Sequence, residues 1–343
     1  MTEGDQPPRH AKIYDLQILR FMAAAAVLIS HAADIALVRN TAFWSVPWTA
    51  GVDVFFVISG IIMTILTADR FGGSGEARLF LMRRVVRIVP IYWLFTLLMI
   101  ATALILPGQV QHSEVTPGSV MSSLLLVPWT RPDHSVVPIL SQGWTLVYEA
   151  FFYLAFALAL LHRRGLVLLV GGLGMLAVAH FVIPARLVAP YFWSDPIILE
   201  FVAGIGVGRL WLGGLRLGLA ARCALAATSV LLFLGSETLG LASLGRLFAY
   251  GCPAVVLAAA FLFGDEHRTP NPLRRALIAG GDASYALYLS HTFVINAVVL
   301  AIGTSHGGWP TLTIASALAI AVSIVVHRLI ERPILRLLHR RSG

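Results

Sequence analysis

"RFMAAAAVLISH", residues 20–31, sets an arginine and a histidine at the two ends of an otherwise apolar run. Eleven residues at about 100° each come to about 20° past three full turns, with a rise of about 16 Å. Read as a helix, the run places Arg20 and His31 on one face, roughly half a bilayer apart. The residues around it decide whether that helix lies in lipid or in a soluble core. The chain has 343 residues, 58% hydrophobic and only 12% charged, with a mean hydropathy of +0.82. A soluble domain carries about 25% charged residues, so these numbers describe a polytopic membrane protein.

Ten apolar runs have the length needed to cross about 30 Å of hydrocarbon: 16–36, 51–68, 88–106, 144–161, 165–182, 195–212, 223–240, 244–263, 282–302 and 309–328. The fold class is therefore all-α, a polytopic helix bundle of about ten transmembrane helices. "SSLLLVPW" (122–129) is too short to span and reads as a re-entrant or interfacial turn. The domain organisation is a cytoplasmic segment 1–15, a transmembrane domain 16–328 and a basic cytoplasmic tail 329–343.

The net charge of +8 is scattered between apolar spans, which argues for topology and against a nucleic-acid partner. With the N-terminus inside, the inner side receives Arg70, Arg78, Arg83, Arg84 and Arg87, then Arg163 and Arg164, then the tail arginines from Arg328 onward. The outer side keeps Arg39, Arg131, Arg186 and Arg246. This asymmetry gives N-in, C-in. Cys223 and Cys252 sit in apolar segments and indicate neither a disulfide framework nor a metal site. The polar N-terminus lacks a cleavable signal pattern, so the first span stays in the mature protein.

Ionisable side chains inside spans cost several kcal/mol unless paired or hydrated, and each is a functional candidate for that reason. Arg20 is a candidate against snorkelling to headgroups, and His31 against a neutral imidazole bonded to a carbonyl. In "GVDVFFVISGIIM" (51–63), Asp53 lies at a depth where it meets His31. Ser59 and Gly60 mark either a helix-packing notch or a backbone opening towards a ligand. In "FLMRRVVRIVPIYW" (80–93), Arg84 and Arg87 stand i, i+3 beside Pro90, as a topology signal or a phosphate dock.

"QGWTLVYEAFFYL" (142–154) carries Trp144, then Thr145, Glu149 and Tyr153 on one stripe. "DPIILEFVAGIGVGRL" (195–210) adds Glu200 with Gly204 and Gly208, and "DASYALYLSH" (282–291) adds Ser284, Tyr288 and His291. Together these residues suggest a hydrated cavity lined by Trp144, Tyr153, Tyr288, His291 and Glu200.

These stretches, with "YDLQILRFMAAAAVLISH" and the closing "IERPILRLL", occur in the order found in the membrane acyltransferase-3 family, and the chain resembles its exopolysaccharide O-acetyltransferase branch. The resemblance runs from about residue 13 to residue 338. It implies a multi-pass enzyme of the bacterial inner membrane that moves an acyl group from cytosolic acetyl-CoA to a hydroxyl of a cell-surface, exported or lipid-linked glycan. No cofactor is permanently bound. On matching motifs, Arg20 and His31 are the essential pair, Arg84 and Arg87 the double-arginine motif, and Glu149 the acid of the fourth span. Two positions depart from the family pattern, Ile61 for phenylalanine and Thr145 for serine, and the extra hydrolase-like domain of some relatives has no counterpart here.

The expected mechanism puts Arg20, Arg84 and Arg87, with Ser59 and Gly60, on the donor. His31 is the general base, and Glu149 or Asp53 orients its imidazole. Direct transfer is favoured over an acyl-enzyme on His31 or Ser59. The rival class is a secondary transporter or flippase for a polar or glycan-linked substrate, which also needs buried His, Glu and Arg. A membrane sensor or scaffold gives no reason for these groups.

Overall fold

A computed structural model describes residues 13–38, 43, 46–106, 115–236, 238–264, 271–304 and 308–341. The N-terminal segment to residue 12, most of the loop 107–119, Arg39, Arg268 and Ser342 lie outside the described residues. The described chain is all-helical, apart from a lone antiparallel bridge between Thr130 and Val136.

In chain order the α-helices are α1 (Tyr14–Ile35), α2 (Gly51–Leu66), α3 (Glu76–Ile105), α4 (Pro117–Leu125), α5 (Trp144–Leu160), α6 (Gly165–Ala179) and α7 (Val188–Trp193). They continue as α8 (Leu199–Leu212), α9 (Leu219–Leu234), α10 (Cys252–Leu262), α11 (Pro272–Asp282), α12 (Ser284–Ile302), α13 (Trp309–Val326) and α14 (Arg332–Arg341). Each of the ten apolar runs carries an α-helix over much of its length, and among the described residues six helical stretches are long and apolar enough to cross a membrane: those holding α1, α2, α3, α5, α12 and α13. Helices α6, α8 and α9 are shorter, at 15, 14 and 16 residues. α10 is extended at its start by a π-turn, Leu247–Gly251.

Local chemistry places several of the ends. Thr116 caps α4 through a reciprocal box with Ser119, and Pro117 supplies the preset φ of a first helical residue. Asn271 does the same for α11, its side chain accepting from the Arg274 N–H at 2.8 Å before Pro272.

The chain divides into two compact units. The first comprises residues 1–69, 199–287 and 291–324. Its core runs through Leu16, Leu19, Val57, Ile61, Ala254 and Ala258. The crossing of α2 and α8 is set by glycines: a Cβ at Gly60 would fall 2.2 Å from the Phe201 carbonyl oxygen, and one at Gly204 would fall 2.2 Å from that of Val57. The two backbones touch there, as small-residue pairs allow in a bilayer.

The second unit comprises residues 70–198, 288–290 and 325–343. Here α3 and α5 pack through Phe80 on Phe156, with ring centroids 5.3 Å apart. Phe181 and Val182 are 80% and 82% exposed, and Met175 73%. Large apolar side chains turned outward on this scale belong against lipid.

Candidate functional site

Helix α1 is unbroken from Tyr14 to Ile35, so the eleven-residue spacing of Arg20 and His31 is a helical one. Arg20 is 9% exposed, and its Nη1 donates to Gln17 Oε1 at 3.2 Å, one turn earlier. His31 meets His291 of α12: Nδ1 of the first lies 2.7 Å from Nε2 of the second. The rings lie within 1° of parallel with centroids 5.0 Å apart. A short nitrogen–nitrogen contact at that centroid spacing means the rings share a plane and meet edge to edge.

The hydrogen bonds assign the tautomers. His291 Nδ1 stands 3.0 Å from the Leu287 carbonyl oxygen, which can only accept, so Nδ1 carries hydrogen. In the neutral ring Nε2 is then an acceptor, and the hydrogen in the 2.7 Å contact belongs to His31 Nδ1. That leaves His31 Nε2 with its lone pair. His291 was expected only as a cavity wall; the structure makes it the ring that holds His31.

Asp53 does not meet His31. It is fully buried and takes a two-pronged bond from Arg246, Nε to Oδ1 at 3.0 Å and Nη2 to Oδ2 at 2.7 Å. The Glu200 side chain, itself fully buried, is close enough to act electrostatically on both Asp53 and Arg246. The reason for the difference is electrostatic: a carboxylate in that interior needs a fixed counter-charge, and the fork of Arg246 supplies it. Glu200 is thereby part of an acid–acid–arginine cluster, with Gly251 packed so closely that a Cβ there would lie 2.7 Å from Glu200 Oε1.

Gly60 serves the α2–α8 crossing, the packing alternative, and its Cα side faces Gly204 where a donor was expected. Ser59 is half-buried on the same helix.

In the second unit, Glu149 accepts a hydrogen bond from Tyr153 OH. Arg84, half-buried, lies 5.6 Å from the Phe80 ring centroid and 5.8 Å from that of Tyr153. Its charge is felt by Tyr153, with Arg87 and Glu149 close enough to act on it in turn. Arg87 itself is exposed. So Arg84, Tyr153 and Glu149 form one group, in which the acid answers an arginine and a phenol. Tyr288 OH donates to the Gln142 carbonyl at 2.8 Å and lies 2.8 Å from Thr145 Oγ1. Trp144 packs edge-on against Tyr148 at 5.9 Å.

Two ion clusters were missed in the sequence. Arg246 counted there only as an outer-side arginine, although a buried Asp53 demands a partner at its own depth. Asp15 binds both Arg222 at 3.2 Å and Arg274 at 2.7 Å, across more than 200 residues of chain. Among the described residues no group of three His, Cys, Asp or Glu could hold a metal ion.

Comparison with known proteins supplies the chemistry. The model of the acyltransferase domain family matches residues 13–328. The chain is 39% identical to the exopolysaccharide production protein ExoZ of Rhizobium meliloti (strain 1021), over 84% of this chain and 89% of that one. It is 28% identical to the acyltransferase MdmB of Streptomyces mycarofaciens, over 98% of this chain and 95% of that one. No solved structure matches.

Proposed function

The chain belongs to this acyltransferase family, and we propose that it is a membrane-embedded O-acyltransferase carrying acetyl from cytosolic acetyl-CoA to a hydroxyl of a cell-surface or exported glycan. The relative named for exopolysaccharide production supports the acceptor class. The observation that carries the chemistry is the coplanar pair of His31 and His291. His31 Nε2 takes the proton of the acceptor hydroxyl as that oxygen attacks the thioester carbonyl. The new charge on His31 is held by the Nδ1–H bond to His291 Nε2, the part an acid plays in a hydrolase triad. When the tetrahedral intermediate collapses, the C–S bond breaks and the proton passes from His31 Nε2 to the departing sulfur. The products are an O-acetyl ester and free CoA thiol.

In this reading ten helices cross the inner membrane with both termini inside. Arg20 then lies at the cytoplasmic end of α1 and His31 in its outer half. Arg20, Arg84 and Arg87 hold the phosphates of the donor, for which guanidinium forks are suited. Consumption of radiolabelled acetyl-CoA by the purified protein, with label appearing in an alkali-labile glycan ester, is the expected result. A protein that moves glycan across vesicles and leaves acetyl-CoA intact would be a transporter.

A further inference from the structure

The C-terminal stretch belongs to the second unit, where α14 packs against α3. Nothing in it serves the mechanism above. Between α13 and α14 the chain makes a π-turn, His327–Glu331. Its hydrogen bonds span five residues, so side chains four apart stand almost one above the other. His327 and Glu331 are both buried there, with Nδ1 of the first 2.7 Å from Oε2 of the second. With that pair turned inward, Arg328 and Leu329 are left exposed, and on α14 Arg336 and Leu337 follow them.

The acids native to these stretches are already engaged. Glu331 is the one acid of residues 327–343, and it is held by His327. Glu76 is the one acid of α3, and it pairs with Arg70 at 3.1 Å. On α3, Arg78 and Arg83 are exposed beside exposed Met82 and Val85. Arginines and large apolar side chains therefore interleave on the outward surface of both elements.

That mixture fits neither water nor hydrocarbon alone. A solvated face gains nothing from Leu329 and Leu337 at 70% and 63% exposure, and a face in hydrocarbon holds arginines only at high cost. A surface at the headgroup boundary uses both. Beyond Arg87 no charge follows in α3 as far as Ile105, and Leu94 and Leu97 are exposed. From Arg83 to Leu97 the helix rises about 21 Å, enough to cover one leaflet of a hydrocarbon layer about 30 Å thick.

We propose that this surface of α3 and the C-terminal stretch seats an anionic phospholipid. Its phosphodiester lies against the exposed arginines, and its acyl chains run along the outward leucines of α3. Guanidinium groups suit phosphate oxygens in charge and in hydrogen-bond geometry. A zwitterionic lipid brings its own ammonium and gains little from them. The phosphates of a soluble donor lack the chains that the apolar part of the surface would cover.

The test needs no transfer, so it succeeds or fails apart from the acyltransferase reading. The detergent-solubilised full chain is titrated with phosphatidylglycerol or with phosphatidylcholine of the same chains, and the first bound lipid is followed by native mass spectrometry. Phosphatidylglycerol should bind about fivefold or more tightly, as one arginine near an anionic headgroup provides. Replacing Arg83 and Arg336 together by Gln should erase that preference and leave phosphatidylcholine binding unchanged, which also reports an intact fold. Arg78→Gln with Arg328→Gln, a second pair on the same surface, should act alike. Arg163→Gln with Arg164→Gln removes equal charge from an exposed loop of the same unit and should leave the preference in place. Coenzyme A should not displace the lipid. Equal affinity for the two lipids, or an equal loss in the loop variant, would overturn the seat. Displacement by coenzyme A would make the arginines part of a donor site instead.

Discussion

His31 Nδ1 and His291 Nε2 stand 2.7 Å apart in one plane, joining helices α1 and α12 across 260 residues of sequence. The bond from His291 Nδ1 to the Leu287 carbonyl fixes the direction of every hydrogen in the chain. In the proposed mechanism His291 is therefore a positioning residue for His31. His291→Ala should lower kcat by about 10²-fold or more with little change in KM for acetyl-CoA, as losing the orienting partner of a catalytic imidazole does. His291→Gln, whose amide oxygen can accept the His31 N–H, should recover part of the rate. Equal losses in both variants, or a loss confined to KM, would make the contact merely structural.

The Asp53–Arg246 pair makes an asymmetric prediction. Asp53 has no exposure and Arg246 keeps 35% of its side chain exposed. Removing the arginine leaves a buried acid without its counter-charge, whereas removing the acid frees a side chain that can turn to water. Arg246→Ala should therefore cost about 3–5 kcal/mol, seen as loss of monodisperse protein in detergent. Asp53→Asn should cost clearly less. The reverse order would show that the arginine is held by something other than Asp53.

The crossing of α2 and α8 can be tested by adding one methyl group. Gly60→Ala and Gly204→Ala each drive a carbon into a backbone oxygen at 2.2 Å, and should lower stability by about 1–3 kcal/mol. Gly206→Ala meets nothing within 4 Å and should be silent in thermal unfolding. If Gly60→Ala melts normally and only weakens donor binding, Gly60 faces a ligand after all.

Arg87 is the cleaner probe of the proposed donor arginines, because Arg84 also packs on Phe80 and Tyr153. Arg87→Ala should raise KM for acetyl-CoA by a factor worth about 1.5–3 kcal/mol, leaving acceptor KM unchanged. Arg87→Lys should recover only part, since an ammonium lacks the planar fork. Unaltered donor kinetics would reduce the cluster to a signal of topology.

Which runs would be helical was legible because in lipid each backbone group must find its partner within its own segment. The runs around Arg20, Asp53, Glu149 and His291 each carried that constraint in a local stretch. The cost of burying an ion also marked these side chains as significant. Their partners were not legible. Asp53 finds Arg246 193 residues away, and Asp15 finds Arg274 259 residues away. Those pairings depend on how helices rotate and pack, which a single sequence does not record. Gly60 was ambiguous for the same reason: a glycine serves a close helix and a close ligand equally well. The segment 122–129 was read as too short to span, and it ends a nine-residue helix, α4, held to Tyr92 of α3.

The central claim is that His31 is the base of the transfer, on the same helix as an arginine that holds the donor. Purified His31→Ala should be compared with the wild type in single-turnover acetyl transfer, alongside equilibrium binding of acetyl-CoA. Binding should be close to the wild-type value, and transfer should fall by about 10²–10⁴-fold. A variant that binds acetyl-CoA and still transfers at the wild-type rate would contradict the account and return His31 to the packing of α1.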